Sequence, residues 1–234
     1  MGVFYNPRII TDGLVLYLDA ANPKSYPGTG DQWIDLSPSK VDFTLYGGYS
    51  FADNSIDMDG VDGTYASTPT SFISTGQIGT GNIGYSIEAM CMYRTNPGSI
   101  SVGYSIIGNA SGTGIGLQIA ASGGNILPTF GYRSNSNFYG VTPLVSGEWF
   151  HIIATKIADS DSMIYLNGVL DYTYTTGTYM DIDDTTAAMS IGTAAGRIKG
   201  FFDGQFSFIK LYNKTLSQAE VTQNFNAHRG KFGL

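Results

Sequence analysis

The sequence predicts an all-β fold: short strands packed as a sandwich or barrel, with one short C-terminal helix. Three observations predict it. The 234 residues include 31 glycines and 16 tyrosines, whereas glutamate occurs only as Glu88, Glu148 and Glu220. Turn formers and aromatic strand formers thus outweigh helix formers. Charged residues make up 13% of the chain, about half of the roughly 25% of an ordinary domain. That excludes a coiled coil or a disordered polar chain. Short apolar segments recur between clusters of Gly, Asn, Ser, Thr and Pro, at the spacing of a sandwich or barrel.

The elements follow in order. Residues 1–12 read as an N-terminal arm. Leu14 to Asp19 is a near-continuous apolar run of strand length, and Val41 to Tyr46 alternates loosely. Ser86 to Tyr93 is the best central strand. Ser105 to Gly108 and Ile115 to Ile119 follow, with glycine-rich turns between them. Trp149 to Thr155 is a second strong strand, and Trp33 and Trp149 are expected in the core. Met163 to Leu170 reads as strand, Asn167-Gly168 turn and strand, the strongest short hairpin signal. Ala188 to Gly192 and Gln205 to Tyr212 close the set. The helix spans 217–229. Ser217 and Glu220 form a capping box, Val221, Phe225 and His228 share one face, and Gly230 is the expected stop. No linker interrupts the chain, so 1–234 is read as one domain.

Composition excludes several functions. The net charge is −7 and the basic residues are scattered, so neither nucleic acid nor an anionic membrane is an expected partner. Cys91 lies in an apolar strand pattern and reads as a buried inert thiol. The opening residues show neither a basic n-region nor an apolar h-region, so no secretory leader is expected. Nucleophilic catalysis lacks an inventory: His151 is mid-strand, His228 is on the last helix, and no Gly-x-Ser-x-Gly elbow precedes a helix. Gly112-Thr-Gly114-Ile-Gly116 lacks the lysine of a phosphate loop and leads into a strand.

Specific segments resemble a known family. Gly13 to Gly28 with Trp33 to Ser37 resembles the opening of laminin-G-like, concanavalin A-like domains. Asp57-Met-Asp-Gly-Val-Asp-Gly-Thr-Tyr65 is similar to their "F-D-G-x-D-D-Y" element. Ser86 to Met90 resembles "T-I-E-A-W", Glu148 to Thr155 resembles "W-x-H-V-A-x-T", and Phe206 to Glu220 resembles the terminal strand and helix start. The family's "I-D-E-V" is here Phe206-Ser207-Phe208-Ile209. The two ends, "Y-N-P-R-I-I-T-D-G-L-V" and "Q-N-F-N-A-H-R-G-K-F-G-L", resemble laminin-G-like proteins of tailed bacteriophages, notably phages of marine bacteria.

The resemblance implies an antiparallel two-sheet jelly-roll sandwich, concanavalin A-like, with one short C-terminal helix, and a non-enzymatic virion structural protein on the particle surface, as capsid decoration, head fibre or tail appendage. Its expected partners are other virion proteins and host glycans, with a homo-oligomer as a further expectation. The alternative is a soluble carbohydrate-binding lectin. A hydrolase is disfavoured, because related glucanases use a Glu-x-Asp-x-x-Glu strand that is missing here, and a retaining glycosidase needs two carboxylates about 5 Å apart. No cofactor is expected beyond calcium, which relatives often hold; Asp57, Asp59 and Asp62 are the candidate ligands. The competing reading is a turn in which Asp59 and Asp62 bond local amides and Gly60 takes positive φ. For sugar binding the candidates are Tyr132, Arg133, Asn135, Asn137 and Tyr139, which offer aromatic faces with planar polar partners in one loop or hairpin.

Overall fold

The computed structural model describes residues 8–69, 78, 83–98, 103–109, 116–131, 138–175, 188–193 and 200–234. In chain order the strands begin β1 (Leu14–Asp19), β2 (Gln32–Trp33), β3 (Phe43–Tyr46), β4 (Ser50–Ala52), β5 (Ser55–Asp59) and β6 (Tyr65–Ser67). The middle of the chain forms β7 (Tyr85–Tyr93), β8 (Tyr104–Asn109), β9 (Gly116–Ser122), β10 (Asn125–Phe130) and β11 (Phe138–Tyr139). The last strands are β12 (Phe150–Lys156), β13 (Ser162–Leu166), β14 (Val169–Tyr174), β15 (Met189–Ile191) and β16 (Asp203–Tyr212). Helix α1 (Gln218–His228) follows and runs into a 3-10 turn at Arg229–Lys231.

Among the described residues the strands form two antiparallel sheets. One runs β14-β13-β12-β7-β16-β5-β4, with β1 also paired to β16; the other runs β11-β10-β9-β8-β15-β6-β3-β2. Strand β16 is shared along its length. Its first half pairs with β5 and its second half with β1, and a register shift falls between Phe206 and Phe208. Between the sheets lies the core, which alternation builds from one face of each strand. Ile87, Ala89 and Cys91 of β7, Ile152 and Ala154 of β12, and Ile209 and Leu211 of β16 all point into it. Cys91 is fully buried, and burial pushes its thiol up.

The opposite face of the first sheet is covered as well. Leu14, Ile153, Tyr165, Tyr212, Leu216 and Val221 form a second, smaller core beneath α1. The capping box is present, with Ser217 accepting from the Glu220 amide and the Glu220 carboxylate accepting from the Ser217 amide. Residues 8–12 of the expected arm lie against this helix. The Ile10 amide donates to Asn224 Oδ1 at 2.8 Å, and Gln223 Nε2 donates to the Arg8 carbonyl at 2.6 Å.

Three expectations need correction. Gly230 takes the C′ position behind the Arg229 C-cap but without positive φ; the chain tightens into the 3-10 turn instead, and in this tail positive φ appears only at Gly233. Trp33 is fully buried, but Trp149 is only half-buried, because β12 begins one residue later, at Phe150. Strands β2, β4, β6, β10 and β11 also join the sheets; all but β10 are two or three residues long, too short for periodicity to show. Strand β10 holds Pro128 within its apolar run, which demotes a strand reading.

Candidate functional site

Trp149 sits where a pinned loop enters β12. Asp171 of β14 accepts from the amides of Val141 and Thr142 at 2.9 and 3.1 Å. The Leu144 amide donates to the Ile126 carbonyl at 2.8 Å, and Tyr93 Oη donates to the Leu144 carbonyl at 3.0 Å. The Gly147 amide donates to the Tyr93 carbonyl at 2.8 Å, so loop 141–148 is fixed at both ends and in its middle.

The Asn167-Gly168 turn forms the other wall. Both residues have positive φ, 50° and 80°, the type I′ geometry for which this dipeptide is suited. Gly168 has a second reason to be glycine: a Cβ there would lie 2.7 Å from the Phe225 ring of α1. Asn167 Oδ1 accepts from the His151 amide at 2.9 Å. The result is a cleft of about 110 Å³ lined by Thr142, Val145, Glu148, Trp149 and Asn167, among others.

A second cleft of about 110 Å³ is lined by Ala21, Asp53, Asn54, Ser207, Lys231 and Phe232. The Trp149 and Phe232 rings touch, with centroids 4.8 Å apart at 51°. They form an aromatic ridge between the two clefts, each of which carries a carboxylate and an amide. Enclosed small-molecule sites typically span roughly 300–1,000 Å³. Two shallow clefts either side of a ridge instead suit the side of an extended polar chain.

A second constellation lies sealed beneath α1. Glu88, Lys210 and Asn224 are fully buried and His151 nearly so. Glu88 Oε1 accepts from Lys210 Nζ at 2.8 Å and from His151 Nε2 at 3.0 Å. Its Oε2 accepts from Asn224 Nδ2 at 2.7 Å and from Tyr212 Oη at 3.1 Å. All four acceptor positions of the carboxylate are filled. Burial alone would raise the Glu88 carboxyl, but Lys210, His151 and His228 together hold it below the ordinary carboxylate range. Burial pulls the Lys210 ammonium down, and Glu88 opposes that pull.

Lys210 Nζ also meets His228 Nε2 at 3.0 Å. Burial, then the adjacent Lys210 charge, pushes His228 down to about 3. The helix C-terminus would favour a charged imidazole by roughly 0.3–1 kcal/mol, whereas a second cation in contact opposes it by a few kcal/mol. The repulsion wins, and His228 is neutral.

The calcium candidates do not make a metal site. Arg94 Nη1 and Nη2 donate to the two oxygens of Asp57 at 3.0 and 2.7 Å, and Gln205 Nε2 adds a third bond at 3.0 Å. Arg94 Nε reaches Asp203 at 2.8 Å. Asp59 Oδ1 accepts from the Val61 amide at 3.0 Å, Gly60 takes φ +70°, and Asp62 is exposed in the turn. Calcium takes six to eight oxygens, anchored by free carboxylates; here the anchoring carboxylate is already neutralised by a guanidinium. Calcium does not fit these residues. Among the described residues no group of three or more His, Cys, Asp or Glu side chains is placed to hold a metal.

Of the sugar candidates, Tyr132, Arg133, Asn135 and Asn137 lie outside the described residues. Tyr139 is half-buried on β11, paired in register with Thr129. A further group of acids close together in the sequence, Asp181, Asp183 and Asp184, also lies outside them. Sequence reasoning passed over Lys210, Asn224 and Phe232. A signal did exist for the first: Glu88 and Lys210 each interrupt an apolar run, which in a central strand implies a buried partner. No helix among the described residues is long and apolar enough to cross a membrane.

Comparison with known proteins agrees with this architecture. A laminin-G-type family model, described as the concanavalin A-like lectin/glucanases superfamily, matches residues 59–222. Among curated proteins none matches. Domain 4 of an extracellular arabinanase from Geobacillus stearothermophilus, solved with arabinotriose, superposes with a TM-score of 0.67 at 15% identity, covering 92% of this chain and 99% of that one. The binding domain of botulinum neurotoxin DC, solved with SialylT, gives 0.66 at 16% identity over 93% of this chain and 52% of that one. A Trypanosoma rangeli sialidase in complex with the inhibitor DANA gives 0.64 at 16% identity over 94% of this chain and 35% of that one. The chain thus spans about half of the toxin domain and about a third of the sialidase. At these identities the likeness is one of fold. With two antiparallel sheets, one C-terminal helix and a family match over most of its length, the chain belongs to the concanavalin A-like lectin/glucanases superfamily.

Proposed function

We propose that this domain is a non-catalytic carbohydrate-recognition module that holds a neutral oligosaccharide across the Trp149–Phe232 ridge. The observation that carries the reading is the ridge itself: a half-buried tryptophan against a phenylalanine, flanked by clefts that offer Glu148 and Asn167 on one side and Asp53 and Asn54 on the other. Sugar rings present C–H faces that pack on aromatic rings and hydroxyls that bond planar carboxylates and amides. Each cleft is lined by one carboxylate, whereas retaining glycoside hydrolysis uses two about 5 Å apart. Glu88 is spent on its buried partners. Binding without turnover is the function this arrangement supports.

The setting we propose is the surface of a phage particle, as a decoration, head fibre or tail appendage that contacts host glycans. Support comes from the resemblance of the two chain ends to laminin-G-like phage proteins. Val169 and Leu170 stand exposed on edge strand β14, and a particle contact would cover them.

Two measurements test this. A glycan array followed by titration should find a neutral oligosaccharide, and Trp149→Ala should weaken binding at least tenfold, about 1.4 kcal/mol, with the fold intact. A blank array, or unchanged affinity in Trp149→Ala, would refute the ridge as the site. Peptide mass spectrometry on density-purified particles should recover the chain in fixed ratio to the major capsid protein. Recovery only as free protein in the lysate would overturn the virion setting and favour a soluble lectin.

A further inference from the structure

We propose that the polar network beneath α1 is a proton-sensitive latch, which keeps α1 and Phe232 docked at neutral pH and releases them when His228 takes up a proton. The geometry of one contact is the starting point. His228 Nε2 meets Lys210 Nζ at 3.0 Å. An ammonium can only donate, so this contact requires an unprotonated nitrogen. A proton at that position would set two cations against each other.

No unpaired acid compensates that proton, and water reaches the half-buried ring only in part. The groups facing His228 are Lys210 from β16, Glu88 from β7, His151 from β12 and Lys231 from its own tail. Glu88 is the one anion among them, and both of its oxygens are filled by Lys210, His151, Asn224 and Tyr212. Asp19 of β1, the next acid, accepts from Tyr17 Oη and from the Ala21 amide. The imidazole packs on Phe208 at 4.2 Å, and the Lys210 ammonium lies over the same ring at 4.3 Å. Charging His228 therefore favours leaving this pocket over rearranging within it.

The docked state thus holds His228 neutral, while the released imidazole titrates near 6.5. Release must then be linked to pH. Each unit below about 6.5 shifts the balance up to tenfold toward the released state. Phe232 follows His228 through the short 3-10 turn, so releasing the helix end removes one half of the ridge. The consequence for sugar affinity rests on the function proposed above; the latch itself does not.

Hydrogen exchange on the full chain, without any sugar, tests the latch. Amide protection over residues 218–232 is measured from pH 7.5 to pH 5, corrected for intrinsic exchange. Protection there should fall at least tenfold while β7 and β12 keep theirs. Trp149 emission on the same samples should shift red as Phe232 leaves, with buried Trp33 unchanged. His228→Gln, whose carbonyl still accepts from Lys210 but cannot be protonated, should hold its protection across the range; His228→Asn provides a second neutral variant. Unchanged wild-type protection, or equal losses in the wild type and the neutral variants, would overturn the proposal.

Discussion

Strands β7 and β16 carry two charge clusters about 20 Å apart at roughly 3.3 Å per residue, and solvent treats the two differently. At one end Glu88 and Lys210 face each other in register with side chains wholly withdrawn from water. At the other, Arg94 bridges Asp57 and Asp203 with its own side chain 37% exposed. Hydrogen-bond lengths are alike, at 2.7–2.8 Å. What differs is how much is lost when a partner goes. Water can solvate a surface carboxylate left alone, but nothing replaces the counter-ion of a sealed one. Similar distances therefore conceal different energetic stakes.

The largest expected effect comes from orphaning the sealed pair. Lys210→Met should destabilise the fold by about 3–5 kcal/mol in urea unfolding. The double variant Glu88→Leu with Lys210→Met should recover most of that loss. If the single change is mild, the pair is less dependent on mutual neutralisation than its burial implies.

Acid should erode the same region next. His228 sits at about 3 in the fold against roughly 6.5 in the unfolded chain. Between those values the unfolded chain binds a proton that the folded chain refuses, so stability falls as pH drops below about 6.5. By pH 5 the expected loss is about 2 kcal/mol. Glu88 acts in the same direction at lower pH, because its carboxyl is held down in the fold and the unfolded chain protonates first. Flat stability between pH 7 and pH 5 would contradict this sign.

Smaller effects sharpen the contrast. Ser217→Ala removes the N-cap of α1 and should lower stability by about 1 kcal/mol, with extra hydrogen exchange confined to the helix and tail. Arg94→Ala should lower it by under about 1 kcal/mol, an effect that shrinks further in high salt. A loss comparable to that of Lys210→Met would show that exposure is not what separates the two clusters.

Much of the fold was legible locally. The apolar run Leu14–Asp19 is β1 to the residue, because continuous apolarity at strand length has few other uses. The Asn167-Gly168 turn was legible because positive φ at both places suits this dipeptide, and the capping box because it spans only four residues. The ridge was not. Trp149 lies in a strand-like apolar run, and nothing nearby reveals that the strand starts one residue on. Phe232 sits past the helix, where no periodicity marks it. Asp57 looked like a metal ligand in its own turn, but the residue that neutralises it, Arg94, comes from just past the end of β7.

The sequence by itself determined where chain segments extend, turn and coil, since those choices depend on dihedral preferences and side-chain spacing within a few residues. Tertiary structure alone decided which charges meet. Glu88 bonds Lys210 across 122 positions and Asn224 across 136, and Trp149 meets Phe232 only because α1 folds back over the first sheet. Such contacts follow from sheet register and from what covers a face, and neither is encoded within a single local stretch of chain.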